Sequence, residues 1–191
     1  MSVSIEELDC VLKNSTCLLN EDDAEEMFNR LAKNISKECR YLNPVILCVM
    51  TGAIVAIGRL LPKLNFPLEV DYIHATRYQG ALVGAELVWK QLPSTSLKGR
   101  AVIIIDDVLD EGVTMGKIKV YCLEQGAKQC FTAVLVDKKL QKNKPLEADF
   151  VGYQTGDKYL FGLGMDYKGY LRNTNGLYAC PDNLEELLCQ H

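Results

Sequence analysis

Three short apolar runs, Val45-Ile-Leu-Cys-Val-Met50, Val102-Ile-Ile-Ile105 and Thr132-Ala-Val-Leu-Val136, are rich in β-branched residues and carry no polar alternation. A strand with one wet face alternates; a run without alternation belongs to a strand covered on both faces, as in the interior of a parallel sheet. Helix-period segments lie between these runs, from Ala53 to Leu61 and from Val113 to Gln125, the second closed by Gly126 as a C-cap. Strand-helix-strand order gives an α/β fold, a parallel sheet flanked by helices.

The remaining segments fill in around that sheet. From Glu21 to Cys39 the residues Ala24, Met27, Phe28, Leu31, Ala32 and Ile35 recur at three- and four-residue steps, the pattern of an amphipathic helix. Leu68 to Tyr78 and Leu82 to Lys90 read as two strands joined around Gly80 in an antiparallel excursion, and Lys138 to Lys144 as a polar loop. Phe150-Val-Gly-Tyr153 and Tyr159-Leu-Phe161 read as short strands of a small appended unit. At 191 residues, against roughly 100–200 per domain, residues 1–191 are expected to form one domain. No internal repeat interrupts it.

Charge and cysteine content narrow the function classes. Twenty-one Lys plus Arg against 25 Asp plus Glu give a net charge of −4, whereas nucleic-acid binders usually carry a basic surplus. The uncharged, mostly apolar stretch Pro44 to Gly58 falls short of the ~20 apolar residues of a membrane span and contains Thr51-Gly52. The first residues are acidic and lack the basic and apolar regions of a signal peptide, so a cytoplasmic location is expected. Eight cysteines without a C-x-x-C pair read as buried free thiols rather than a disulfide framework or a zinc site.

The chemistry concentrates in Ala101-Val-Ile-Ile-Ile-Asp106-Asp107-Val-Leu-Asp110-Glu111-Gly112-Val113-Thr114. Ligands of open α/β sheets bind beyond the carboxyl ends of the strands, where this segment carries its acidic residues. Gly112 allows a tight turn and Thr114 sits where a helix begins, so free N–H groups and the helix dipole offer a phosphate cradle. Taken singly, Asp106 and Asp107 are solvated strand-end charges and Thr114 a helix cap. Taken together, they suit a ligand with sugar hydroxyls at one end and a phosphate at the other.

This segment resembles the phosphoribosyl pyrophosphate signature of the type I phosphoribosyltransferases, an apolar run followed by Asp/Glu-Asp-x-x-Asp-(Ser/Thr)-Gly-x-Thr. The resemblance implies that Asp106 and Asp107 hold the ribose hydroxyls, that Asp110 is the later acidic residue of the motif and the catalytic one, placed to accept a purine proton, and that the loop through Glu111, Gly112, Val113 and Thr114 wraps the 5′-phosphate. Glu111 departs from the usual Ser or Thr, and its side chain is expected to point away from the phosphate. Met50-Thr51-Gly52 is similar to the family's pyrophosphate loop, and His74 to Gly80 occupies the place of its mobile lid, with Arg77-Tyr78 where many members carry Ser-Tyr. His74 itself reads as structural.

Leu135-Val-Asp137-Lys138 is similar to the Leu-Leu-Asp-Lys of the hypoxanthine-guanine branch, and Asp149 to Tyr153, Asp157 to Tyr167 and Arg172-Asn173 resemble that branch's purine-binding hood. The likeness implies that Lys138 reaches the 6-oxo group, Tyr159 stacks on the purine and Leu160 bonds it through backbone groups. It also implies that Asp166 and Asp106 stand near magnesium and Arg172 near the pyrophosphate. Read without the likeness, Tyr159 is a core aromatic, Arg172 a surface ion pair, Lys138 a solvated charge and Thr51 a helix cap. Hood elements are expected from the N-terminal region and from about 150–191.

The implied activity transfers a 5-phosphoribosyl group to N9 of a 6-oxopurine with Mg2+ as cofactor. Expected partners are small molecules, phosphoribosyl pyrophosphate and hypoxanthine or guanine, with no nucleic acid and no membrane; a homo-oligomer, dimer or tetramer, is the expected assembly. The alternative is a nucleic-acid-binding regulator of the same fold, which the net charge and the presence of Asp110, Lys138 and Tyr159 disfavour. A phospho-acceptor receiver domain also sets acidic residues after an apolar strand. Too little chain follows Asp107 for its later acceptor site.

Overall fold

The computed structural model describes residues 3–77 and 87–188. In chain order the elements are α1 (Ile5–Asn14), β1 (Thr16–Leu19), α2 (Glu21–Cys39), β2 (Val45–Met50), α3 (Ile54–Leu60) with a 3-10 turn at Leu61–Lys63, β3 (Glu69–Arg77), β4 (Leu87–Gln91), β5 (Ala101–Leu109), α4 (Val113–Glu124), β6 (Gln129–Lys138), β7 (Phe150–Thr155), β8 (Leu160–Phe161), β9 (Leu177–Ala179) and α5 (Leu184–Leu188). Six strands form the main sheet in the order β4-β3-β2-β5-β6-β7, and β1-β9-β8 form a second, small sheet. All pairings of the main sheet are parallel except that of β3 with the edge strand β4.

The missing alternation in the three apolar runs has a direct cause. Ile46 and Cys48 of β2 and Ile103 and Ile105 of β5 face a core shared with α2 and α3. Their neighbours Val45, Leu47, Val102 and Ile104 face an opposite core closed by Met115, Ile118 and Cys122 of α4. Both faces are dry, so both must be apolar. Helix α2 spans the expected residues, opens on a capping box between Asn20 and Asp23, and buries Ala24, Met27, Phe28, Leu31, Ala32 and Ile35. Gly152 lets it approach the sheet, since a Cβ there would lie 2.9 Å from Met27 Sδ and 2.6 Å from the Leu135 carbonyl oxygen.

Two strand expectations need correction. β3 is more than an antiparallel excursion, for Glu69 to His74 pair in parallel register with Val45 to Met50, and only its far edge turns antiparallel against β4. Strand β7 is not part of the appended unit but the sixth strand of the main sheet, parallel to β6. The Asp149 carboxylate accepts hydrogen bonds from Thr132 N–H (2.8 Å) and Oγ1 (2.9 Å), which fastens the start of β7 beside β6.

The small sheet explains the first twenty residues, while α2 after them packs on the main sheet. Strand β1 pairs antiparallel with β9, which pairs with β8, so the beginning and the end of the chain build one hood. Val11 of α1, Phe161, Tyr167 and Cys180 form its own core, and Tyr167 donates to Glu7 Oε1 at 2.6 Å. The seven described cysteines are free, most of them buried. Burial pushes the Cys48 thiol up to about 12, so it stays protonated. Among the described residues no helix is long and apolar enough to cross a membrane.

Candidate active site

The carboxyl ends of β2, β5 and β6 open into a cavity of about 450 Å³ whose far wall is the hood. It is lined by Thr51 and Gly52 after β2, by Asp106, Asp107, Asp110, Gly112 and Thr114, by Lys138 ending β6, and by Tyr159, Leu160, Asp166 and Arg172 from the hood. The side chains of Glu111 and Val113 do not line it. Glu111 instead pairs with Lys142, in keeping with its expected turn away from the cavity. Of the lid, Tyr78 lies outside the described residues, as does the side chain of Arg77.

Asp106 and Asp107 follow the uninterrupted apolar run of β5. Asp106 Oδ1 accepts from Asp107 N–H at 2.9 Å and Asp107 Oδ1 from Val108 N–H at 2.7 Å. Burial, and next the charge of Asp107, hold the Asp106 carboxyl well above the usual range. Burial likewise raises Asp107, against the lowering effect of the Val108 N–H and of the Arg172 cation. Two crowded, poorly hydrated carboxylates favour a cation or a set of hydroxyl donors between them.

Gly52 is required by that crowding. A Cβ on it would lie 2.2 Å from Asp107 Oδ2, within a carboxylate that is only 8% exposed. The same close packing joins loop to hood, because a Cβ on Gly164 would lie 2.1 Å from the Gly52 carbonyl oxygen. Met50-Thr51 is a cis peptide bond. Thr51 is exposed and caps nothing, since α3 begins at Ala53 without a side-chain cap.

The turn between β5 and α4 is the tight one that Gly112 was expected to allow. Gly112 adopts a left-handed conformation (φ 76°) as N-cap of α4, and no side chain caps that helix. Thr114 is therefore a first-turn residue and not the cap, and it lines the cavity with Gly112 at the N-terminal end of the helix, where first-turn N–H groups have no intrahelical acceptor.

At the other end, Lys138 is no solvated charge. Its side chain is 12% exposed, with Nζ 3.5 Å from Asp110 Oδ2 and 3.9 Å from Asp157 Oδ1. Tyr159 is 52% exposed and so is not a core aromatic; its ring stands edge-on to Tyr167 at 5.7 Å. Leu160 is buried in β8 beside Ala179. Arg172 is an ion pair and a cavity wall at once: it donates to the Gly164 carbonyl at 2.6 Å and meets Asp166 Oδ1 at 2.5 Å.

Two residues that received no role from the sequence belong to the site: Met165 lines the cavity from the hood, and Asp157 reaches Lys138. Both lie in the hood-like stretch Asp157 to Tyr167, which carried a signal. His74, expected to be structural, lines the cavity with Ala75 and Thr76 from β3, at the start of the stretch likened to the lid.

Comparison with known proteins agrees with this geometry. The sequence model of the phosphoribosyl transferase domain matches residues 16–168. The hypoxanthine-guanine phosphoribosyltransferase of Aquifex aeolicus is 30% identical over 173 residues, 89% of this chain and 97% of that one. The hypoxanthine-guanine-xanthine phosphoribosyltransferase of Tritrichomonas foetus is 30% identical over 157 residues, 82% of this chain and 86% of its own. Among solved structures, a hypoxanthine phosphoribosyltransferase of Staphylococcus aureus superposes with a TM-score of 0.84 at 21% identity, over 91% of this chain and 95% of that one, a likeness of fold.

Proposed function

We propose, from the premise that this chain belongs to the phosphoribosyl transferase family, that it transfers the 5-phosphoribosyl group of phosphoribosyl pyrophosphate to N9 of a 6-oxopurine, hypoxanthine or guanine, in purine salvage. The observation that carries the reading is the sharing of one cavity by the acidic pair of β5, the uncapped start of α4 and Lys138, with Lys138 Nζ 3.5 Å from Asp110. Asp106 and Asp107 accept from the ribose hydroxyls, and the N–H groups from Glu111 to Thr114 take the 5′-phosphate. Thr51, Gly52 and Arg172 face the leaving pyrophosphate. The relatives described above are enzymes by name, which weighs against a nucleic-acid-binding regulator.

At the purine end, the Lys138 ammonium is donor-only. It complements a 6-oxo group and opposes the amino group of adenine. Tyr159 offers its exposed ring to the base, Leu160 its backbone, and Asp110 accepts a purine proton as N9 bonds to the sugar.

Asp106, Asp107 and Asp166 line the same cavity, yet the described residues hold no cluster of three metal-ligating side chains. Such a donor set fits Mg2+, which takes oxygen ligands and shares its coordination with substrate oxygens and water. Asp106 and Asp166 would hold it; when bound, it neutralises charge developing on the leaving group. The reaction is assigned to the cytoplasm, in a homo-oligomer, dimer or tetramer.

The test is a panel of hypoxanthine, guanine, xanthine, adenine and orotate with phosphoribosyl pyrophosphate and Mg2+, for the wild type and Lys138→Ala. Turnover of 6-oxopurines alone by the wild type, lost in excess EDTA, is expected. Lys138→Ala should lose both rate and discrimination, since sites that hydrogen-bond a substrate group discriminate by up to ~10⁴–10⁵. Wild-type efficiency of the variant on hypoxanthine would remove Lys138 as the reader.

A further inference from the structure

The connection between β6 and β7, residues 139–149, has no regular structure, yet it runs along the outer side of the turn between β5 and α4. Lys144 Nζ donates to the Leu109 carbonyl oxygen at 2.5 Å and to Asp137 Oδ1 at 2.7 Å. Both side chains are shielded, with 11% of Lys144 and 9% of Asp137 exposed. The following residues pack on the same turn. Pro145 Cδ lies 3.4 Å from where a Cβ on Gly112 would stand, and Leu146 Cδ2 lies 3.2 Å from that of Gly116. Lys142 pairs with Glu111.

Leu109 is the last residue of β5, and Asp110 begins the turn. The Leu109 carbonyl and the Asp110 N–H belong to one planar peptide unit and, in the trans form, point in opposite directions. Fixing the carbonyl on Lys144 therefore fixes the direction of the Asp110 N–H and the departure of the chain into Gly112 and α4. Asp137 makes the lysine's place permanent. Burial alone would raise its carboxyl, but bonds from Lys139 and Lys144 outweigh burial and hold it below the usual range. Gln154 Nε2 adds a donor at 3.3 Å. A buried ion pair with further hydrogen bonds is a poor source of stability and a good source of fixed geometry.

We propose that Lys144, anchored by Asp137, is a positioning residue that pre-forms the phosphate turn, and so sets affinity for the phosphoribosyl group without touching it. The inference rests on the functional reading above. It also accounts for Glu111: the negative charge that departs from the usual Ser or Thr is neutralised by Lys142 of the same connection. One loop thus holds the turn at two points, a shielded one at Leu109 and an exposed one at Glu111. The exposed pair is the weaker.

The experiment measures ribose 5-phosphate binding by calorimetry, alongside the KM for phosphoribosyl pyrophosphate and for hypoxanthine, in the wild type, Lys144→Met and the double variant Asp137→Asn/Lys144→Met. The double variant removes both buried charges together, so it retains the fold if the single variant does not. Either variant should weaken ribose 5-phosphate binding about tenfold, the loss of one charge-assisted hydrogen bond. KM for phosphoribosyl pyrophosphate should rise with it, and KM for hypoxanthine should stay within about twofold. A purely structural lysine would lower Tm and leave ribose 5-phosphate affinity within twofold, and that result, or an equal rise of both KM values, overturns the proposal. A wild type that binds no ribose 5-phosphate would instead overturn the functional reading.

Discussion

The two ends of the cavity are built in opposite ways. The end proposed for the phosphate comes from nine consecutive residues, Asp106 to Thr114, at the rim of the main sheet, and the donors proposed for it are largely backbone N–H groups. The end proposed for the purine gathers Lys138, Tyr159, Leu160, Asp166 and Arg172, and its hood is joined across the chain, by β1 near the start pairing with β9 and by Val11 of α1 packing with Phe161, Tyr167 and Cys180. A phosphate is much the same in every substrate and can be met by main chain. A base must be told from other bases, which takes side chains with donors of one kind. Local sequence suffices for the first task, and long-range packing is needed for the second.

Asp110 stands where the two ends meet, in the turn of the first and within 3.5 Å of Lys138 in the second. If it is the general base, Asp110→Asn removes the proton acceptor while keeping size and backbone, and kcat should fall by ~10²–10⁴ with little change in phosphoribosyl pyrophosphate affinity. If it only shapes the turn, asparagine serves almost as well. A kcat within about threefold of wild type, with single-turnover kinetics confirming that chemistry was measured, would erase the distinction between a binding end and a reading end at this residue.

The same contrast governs what could be read from the chain. The main sheet was legible because strands wet on neither face write uninterrupted apolar runs, and the phosphate turn because its residues are contiguous. Strand β7 was misplaced because Phe150-Val-Gly-Tyr153 is as short as a hood strand; what assigns it to the main sheet is Asp149 bonding Thr132, 17 residues away. Lys144 left no mark at all. Its partner is a carbonyl oxygen, which every residue has, and only the path of the chain brings the two together.

Tyr159 isolates the purine end. Its ring is 52% exposed and lines the cavity, braced by an edge contact with Tyr167 and by Lys168 N–H donating to its hydroxyl at a long 3.4 Å, so the fold gains little from it. Stacking of a base on an aromatic ring contributes roughly 1–3 kcal/mol, so Tyr159→Ala should raise KM for hypoxanthine by about 5- to 150-fold. Tyr159→Phe should stay within about twofold, and ribose 5-phosphate binding should not move in either variant. An alanine variant with unchanged KM for the purine would mean that the hood reads the base through Lys138 and Leu160 alone.

The smallest effect should appear at Asp106, with the opposite sign. Burial and the charge of Asp107 raise its carboxyl well above the usual range. In the unfolded chain it titrates near ~3.9, so between that value and its folded one the folded protein binds more protons, and stability falls as pH rises through the window. At neutral pH the carboxylate pair thus lowers stability, which the proposed contact with the ribose would offset. Asp106→Asn removes the charge, while its Oδ1 can still accept from Asp107 N–H. The variant should gain about 1 kcal/mol in the absence of ligand, a rise in Tm of roughly 2–4 °C at pH 7 that shrinks to nothing in acid. It should also lose affinity for phosphoribosyl pyrophosphate. Tyr159→Ala, by contrast, should leave Tm nearly unchanged at every pH, because the half-exposed side chain it removes confines no charge of its own. An Asp106→Asn protein no more stable than wild type at pH 7 would show that the carboxylate pair is relieved within the fold, and that the phosphate end is as relaxed as the purine end.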